Sequence, residues 1–319
     1  MLFDGTPVWA WSVFFLIVVV LLVLDLGVLN KRDHEIGVGE SLWLSAFYIV
    51  ASCLFGLGVG MFLGHEKALE FFTGYAIEKS LSLDNMFVIS LIFTTFAVPR
   101  LYQHRVLFWG IIGVVLMRGV MIGIGAVLIA KFHWILYIFG AFLIVTGIRM
   151  LKSGEHGHDD ETAIKCHPVV KFLQGHIRMT DEFHGHKFFV RLKHPRKGRI
   201  VLYATPALLA LVVVEIADII FAVDSIPAVF AVTQDPFIVY TSNIFAVLGL
   251  RALYFALAAV IYRFTYLKYA LAAVLIFIGG KIFYAELIDK VPALVSLSVT
   301  FGLLAIGVLV SLLKTRKHV

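Results

Sequence analysis

Charge is what this sequence has least of. Only 15% of its 319 residues are Asp, Glu, Lys or Arg, and 61% are apolar. An ordinary soluble domain has about a quarter charged and about half apolar residues. That excludes a water-soluble globular fold and predicts an all-α, polytopic membrane protein embedded in a lipid bilayer. Cysteine is nearly absent. Cys53 falls in an apolar segment and Cys166 in a polar loop, so neither a disulfide framework nor a thiolate metal site is indicated. No GxxxxGK[ST] phosphate loop occurs, which argues against a nucleotide partner and against direct ATP drive. No small-residue cleavage site follows the N-terminal apolar run at 8–29, which is too long for a signal-peptide core and is expected to be a retained span. The formal charge of +6 is not a nucleic-acid footprint, because basic residues of membrane proteins gather on the cytoplasmic side for topological reasons.

About 20 apolar residues in a helix cross the bilayer core. By that measure nine spans are predicted, at 8–29, 41–64, 68–97, 105–130, 133–151, 200–232, 238–262, 267–285 and 293–313. Spans three and six run to about 30 residues, so each must tilt, kink or break. Outside the loop at 152–199, Lys31, Arg32, Arg100, Arg105, Arg263, Lys268, Lys314, Arg316 and Lys317 fall on one side, against Lys67, Lys131 and Lys290 on the other. The excess places the N-terminus outside and the loop and C-terminus in the cytoplasm, in a bacterial-type cytoplasmic membrane. The 152–199 loop holds seven of the twelve His. Its "EHGHDDE" stretch is rich in metal-ligand types but reads first as a solvated polar loop. A hairpin is expected near its end, where Pro195 and Gly198 supply turn chemistry.

The chain repeats itself. Span three has Glu78, five residues, then Asp84-Asn85; span six has Asp218, five residues, then Asp224-Ser225. The spans that follow read "GIIGVVLMR", ending at Arg118, and "NIFAVLGLR", from Asn243 to Arg251. Three spans are an odd number, so the second copy must start from the opposite face, giving an inverted-topology repeat. The expected organisation is two N-terminal helices (1–64), a first three-helix repeat (65–151), a cytoplasmic His-rich loop (152–199), a second, inverted repeat (200–290), and a last helix with a cytoplasmic tail (291–319).

An ionisable side chain at mid-membrane costs about 2.5–3.5 kcal/mol on insertion scales and marks a transport path by default. Five acids lie there: Glu78, Asp84, Glu215, Asp218 and Asp224. Arg118 and Arg251 lie deep in their spans as ion-pair candidates, with Asn243 beside them. Two arginines do not neutralise five carboxylates, so a proton or cation is expected in the site. Positions seven apart share a helix face, which aligns Glu78 with Asn85 and Asp218 with Ser225. Asp84 and Asp224 sit about 120° off that face in an ideal helix, so a break is expected near them, at Pro227 in span six and at Gly74 or the serines in span three. Carboxylate, amide and hydroxyl oxygens suit Mg²⁺, Ca²⁺ or Mn²⁺. Mg²⁺ rarely uses an all-protein cage, which tilts the choice to Mn²⁺ or Ca²⁺.

"EKSLSLDNMFV" and "VEIADIIFAVDSIPAVFAVT", with "FFTGYAIEKS", "FHWILYIFGAFL", "TQDPFIV" and "TSNIFAVLGLRALYF", resemble the TerC family of integral membrane proteins over essentially the whole chain, and within it the Alx-like branch. His133 departs from the family pattern, which has Asp there. The resemblance implies nine spans, two inverted three-helix repeats like those of LysE-type transporters, and Mn²⁺ efflux dependent on intramembrane acids, here Glu78, Asp84, Asn85, Glu215, Asp218, Asp224 and Ser225. The expected function is a secondary transporter exporting Mn²⁺, with proton exchange as driver. A second reading is a membrane metal sensor or assembly factor that holds a cation without moving it. Paired carboxylates also occur in intramembrane enzymes, but no nucleophile–base pair is visible and no enzymatic activity is expected.

Overall fold

The computed structural model describes residues 2–3, 6–24, 37–132, 134–152, 177–180, 182–185, 187–193, 200–257, 267–287 and 291–315. Ten helices lie among them: α1 (Val8–Leu24), α2 (Val38–Leu63), α3 (His65–Thr95), α4 (Arg100–Lys131), α5 (Ile135–Lys152), α6 (Pro206–Phe230), α7 (Pro236–Leu248), α8 (Leu250–Leu257), α9 (Leu267–Leu287) and α10 (Ala293–Thr315). Each of the nine apolar segments is helical over most of its length. By length and hydropathy, 39–63, 100–131, 206–230, 236–255 and 294–311 are long and apolar enough to cross a membrane. α3 carries too much charge to meet that measure. The two-residue strands β1 (Leu2–Phe3) and β2 (Thr6–Pro7) pair ahead of α1.

Segment 200–205 is not the start of span six. Residues of β4 (Ile200–Ala204) pair antiparallel with β3 (Phe189–Lys193), Phe189 opposite Ala204. The alternating, β-branched "RIVLYA" run suits a strand. Pro206 then stands at the first helical position of α6, where a missing N–H costs nothing. The hairpin lies at the end of the bundle where α3 stops and α4 and α6 begin, and that end is called the hairpin face below.

The predicted breaks are absent. α3 is one helix through Gly74 and the serines, because Ser80 and Ser82 donate to the Ala76 and Glu78 carbonyls four residues back and leave the ladder intact. α6 also continues through Pro227, with Ala231 N–H still bonded to the Pro227 carbonyl. The break comes in span seven instead. Gly249 separates α7 from α8, and a Cβ there would lie 2.8 Å from Lys79 Nζ and 3.2 Å from Tyr48.

α7 is the core. Residues 237–248 are all buried, with Trp11 of α1 edge-on to Phe237 and Phe55 of α2 against Phe245, at centroid distances of 5.0 and 4.6 Å. α2 and α4 instead expose Met61, Phe62, Leu116 and Val120, as a surface facing acyl chains requires. A single residue, Gly64, turns α2 into α3 at φ +108°, a conformation open to glycine.

Helix directions follow from residue pairs. α3 runs parallel to α7, with Lys67 on Asp235, Glu78 on Asn243 and Lys79 on Ala246. α4 runs parallel to α6, with Gly113 on Glu215, Arg118 on Asp218 and Gly125 on Phe230. α5 and α9 are antiparallel, since Gly140 meets Gly279 while Gly147 meets Ala272. Small residues let those two backbones approach closely. Exchanging α3 with α6, α4 with α7 and α5 with α9 returns the same pairings and the same directions.

Candidate cation site

Arg118 is the largest fully buried side chain among the described residues. Its Nε and Nη2 donate to Asp218 Oδ2 and Oδ1 at 3.1 and 2.9 Å. Its Nη1 donates to Asn243 Oδ1 at 2.6 Å and to Glu78 Oε1. Asn243 Nδ2 closes the ring on Glu78 Oε2 at 3.0 Å. Four helices, α3, α4, α6 and α7, thus deliver one residue each. The planar guanidinium fork matches a carboxylate with two parallel bonds. A buried ion group is tolerated only when its hydrogen bonds are so completed. Two carboxylates and one guanidinium leave the ring with one formal negative charge.

The remaining predicted residues divide. Asn85, buried two turns from Glu78, lines a cavity of about 30 Å³ with Asp218, Gly110, Val114, Phe221 and Val247. The cavity lies on the hairpin-face side of the ring. Glu215 is seated on α4: its carboxylate occupies the space where a Cβ at Gly113 would stand, and comes within 3.7 Å of a Cβ at Gly110. Ser225 is buried, and its hydroxyl has no partner among the described residues. Asp224 stays off the ring. With α6 unbroken it keeps its 120° offset and faces Thr146 of α5 instead. Asp84 lies on α3, but its side chain and that of Arg251 are outside those described, as are His133 and the "EHGHDDE" stretch. Among the described residues no three His, Cys, Asp or Glu side chains are grouped to hold a metal ion. The reason is local: Arg118 stands between Glu78 and Asp218, while Glu215 and Asp224 face other helices.

The tertiary structure adds a network that the motifs did not suggest. At the opposite face from the hairpin, Lys67 Nζ pairs with Asp235 Oδ2 at 2.5 Å, and Thr233 donates to Glu70 Oε2 at 2.6 Å. Asp235 also caps α7 through the Phe237 N–H at 3.0 Å, and Asp-Pro ahead of an apolar run is its sequence signal. Lys79 donates to the Ala246 carbonyl at 3.0 Å, and Lys281 reaches Ser296 of α10 at 3.3 Å.

Residues 63–319 match the family described as "Integral membrane protein TerC family". This chain belongs to the TerC family. It is therefore a multi-pass integral membrane protein, and its relatives agree. An "Uncharacterized membrane protein" of Rickettsia bellii is 46% identical over 305 residues, covering 96% of this chain and 97% of the relative. "Uncharacterized membrane protein STKORF319" of Myxococcus xanthus is 46% identical over 313 residues, covering 98% and 94%. The "Putative membrane-bound redox modulator Alx" of Escherichia coli K12 is 44% identical over 323 residues, covering 98% and 97%. No solved structure matches this TerC chain.

Proposed function

We propose that this TerC-family chain is a secondary transporter that exports a divalent cation, with Mn²⁺ as the favoured cargo, through a carboxylate site between α3 and α6. One observation carries the reading: Glu78 and Asp218, the leading acids of the two repeated motifs, meet on one guanidinium in the bundle interior. Parallel α3–α7 and α4–α6 pairs with an antiparallel α5–α9 pair are what two inverted three-helix repeats require, and such repeats hold their cargo at the interface. Oxygen ligands suit a hard or borderline dication. The cavity beside Asp218 and Asn85 lies on the hairpin-face side of the site, the face that the positive-inside rule assigns to the cytoplasm, from which an exporter loads. Proton counter-transport is the proposed driver, with the carboxylates as proton carriers. The ring contains no thiol, so the redox wording in the name of the Escherichia coli relative finds no counterpart in these side chains.

The completed pairing of the ring also favours a second reading, in which the chain holds a cation as a sensor or assembly factor. Reconstitution into vesicles with an internal Mn²⁺ reporter separates the two. Transport predicts saturable flux that Asp218→Asn abolishes; saturable binding without flux selects the second reading. In manganese-stressed cells, unchanged Mn²⁺ content on Asp84→Ala and Asp224→Ala would remove those two residues from the path.

A further inference from the structure

All four carboxylate oxygens of Glu78 and Asp218 are already in use. Three accept from Arg118 and the fourth from Asn243. A dication placed among them would meet both a filled hydrogen-bond shell and a fixed positive charge in a water-poor interior, where unpaired like charge is costly. The two carboxylates balance a dication only if the guanidinium leaves.

We propose that the Arg118 guanidinium is the tethered resident cation of this site, and that the cargo binds by displacing it toward Glu215. The identity of the cargo rests on the transport reading above; the displacement does not. The destination follows from helix geometry. Side chains on a helix lean toward its N-terminus, which for Arg118 is the direction of Val114, Gly113 and Gly110. Glu215 lies there, seated on Gly113 and Gly110, as the next carboxylate along α4. The cavity beside the ring, lined by Gly110, Val114 and Asp218, is about 30 Å³, room for a water molecule or two. A guanidinium does not fit until α3, α4 and α6 separate at the hairpin face. Exchange at the ring is thereby tied to opening of that face, and a helix bundle that has lost its cargo recloses on its own arginine.

The test uses the full-length protein in nanodiscs with two soluble probes, Mn²⁺ and methylguanidinium, and three forms: wild type, Arg118→Lys and Arg118→Ala. A lysine keeps the charge but loses the planar fork, so it is displaced more easily. Loss of about one hydrogen bond corresponds to Mn²⁺ affinity about tenfold tighter than wild type. In Arg118→Ala the vacated ring is expected to bind methylguanidinium and Mn²⁺ in competition, whereas wild type binds no methylguanidinium. Unchanged or weaker Mn²⁺ affinity in Arg118→Lys overturns the proposal, as does Mn²⁺ binding to Arg118→Ala that methylguanidinium leaves untouched. Absence of Mn²⁺ binding in all three forms overturns it too. If Arg118→Ala does not fold, Arg118→Lys decides alone. Tighter binding by Arg118→Lys without flux in the wild type would leave the exchange standing and sink the transport reading; flux with no gain in Arg118→Lys would do the reverse.

Discussion

Glu78 of α3 and Asp218 of α6 accept hydrogen bonds from the same guanidinium, that of Arg118, with Asn243 closing the ring. No segment of the chain brings these two acids close; four helices must pack before they share a partner.

That arrangement ranks its members by the cost of their loss. Asp218→Ala removes both arms of the bidentate pair and leaves a buried guanidinium short of charge, which is expected to cost about 3–5 kcal/mol. Asn243→Ala removes a neutral acceptor and donor and is expected to cost about 1–3 kcal/mol. Thermal unfolding in one detergent, followed by tryptophan fluorescence, checks the order; an Asn243→Ala loss equal to that of Asp218→Ala would contradict it.

Antiparallel packing of α5 on α9 predicts a cross-link pattern. In a Cys53→Ser, Cys166→Ser background, cysteine pairs at 140/279 and at 147/272 are expected to oxidise to disulfides once the helices part slightly, because the backbones meet at Gly140–Gly279 and Gly147–Ala272, where a Cβ at Gly279 or Gly147 would lie 2.6 or 2.8 Å from the facing carbonyl oxygen. The pair 140/272 is expected to stay reduced. Mobility shifts on non-reducing gels report the outcome, and cross-linking at 140/272 would refute the antiparallel register.

Gly113 and Gly123 stand on the same helix with opposite surroundings. A Cβ at Gly113 overlaps the Glu215 carboxylate, while one at Gly123 meets nothing within 4 Å. Gly113→Ala is expected to cost under about 1 kcal/mol, since the carboxylate end of Glu215 swings aside while the helix gains propensity, but to lower Mn²⁺ flux in vesicles by displacing Glu215. Gly123→Ala is expected to be neutral or to stabilise by up to about 1 kcal/mol through helix propensity. Parallel melting and flux measurements on the two variants test the contrast.

Asp235 serves both as the N-cap of α7 and as the partner of Lys67. Asp235→Ala loses both roles and is expected to cost about 1–2 kcal/mol, chiefly the cap. Asp235→Asn keeps a capping oxygen and is expected to lose under about 1 kcal/mol, since Lys67 is a third exposed and its pair is screened by water. Equal losses in the two variants, read by thermal unfolding, would show that the ion pair rather than the cap sets the stability.

Much of this was legible beforehand. Hydropathy alone located the helical segments, apart from the strand at the start of span six, because a backbone in hydrocarbon must satisfy its own hydrogen bonds. Recurrence of acid, five residues, Asp and a small polar residue identified Glu78 and Asp218 as counterparts, and the arginine at 118 and the amide at 243 marked their companions. The misses have local causes. Serine bonds to its own helix kept α3 continuous, and α6 ran on through Pro227, so Asp224 held its offset and faced Thr146. The interruption falls at Gly249, where a Cβ would crowd Lys79 and Tyr48, neighbours that only packing supplies.

The sequence by itself determined that the chain is a membrane helix bundle with acids in its interior, since period, length and the cost of buried charge are local properties. Only the tertiary structure decided which charges meet. Whether Asp218 bonds Arg118 while Asp224 turns to α5 depends on how each helix is rotated against its neighbours, and side-chain contact at Gly113, Gly140 and Gly279, not the spacing of acids along one helix, fixes that rotation.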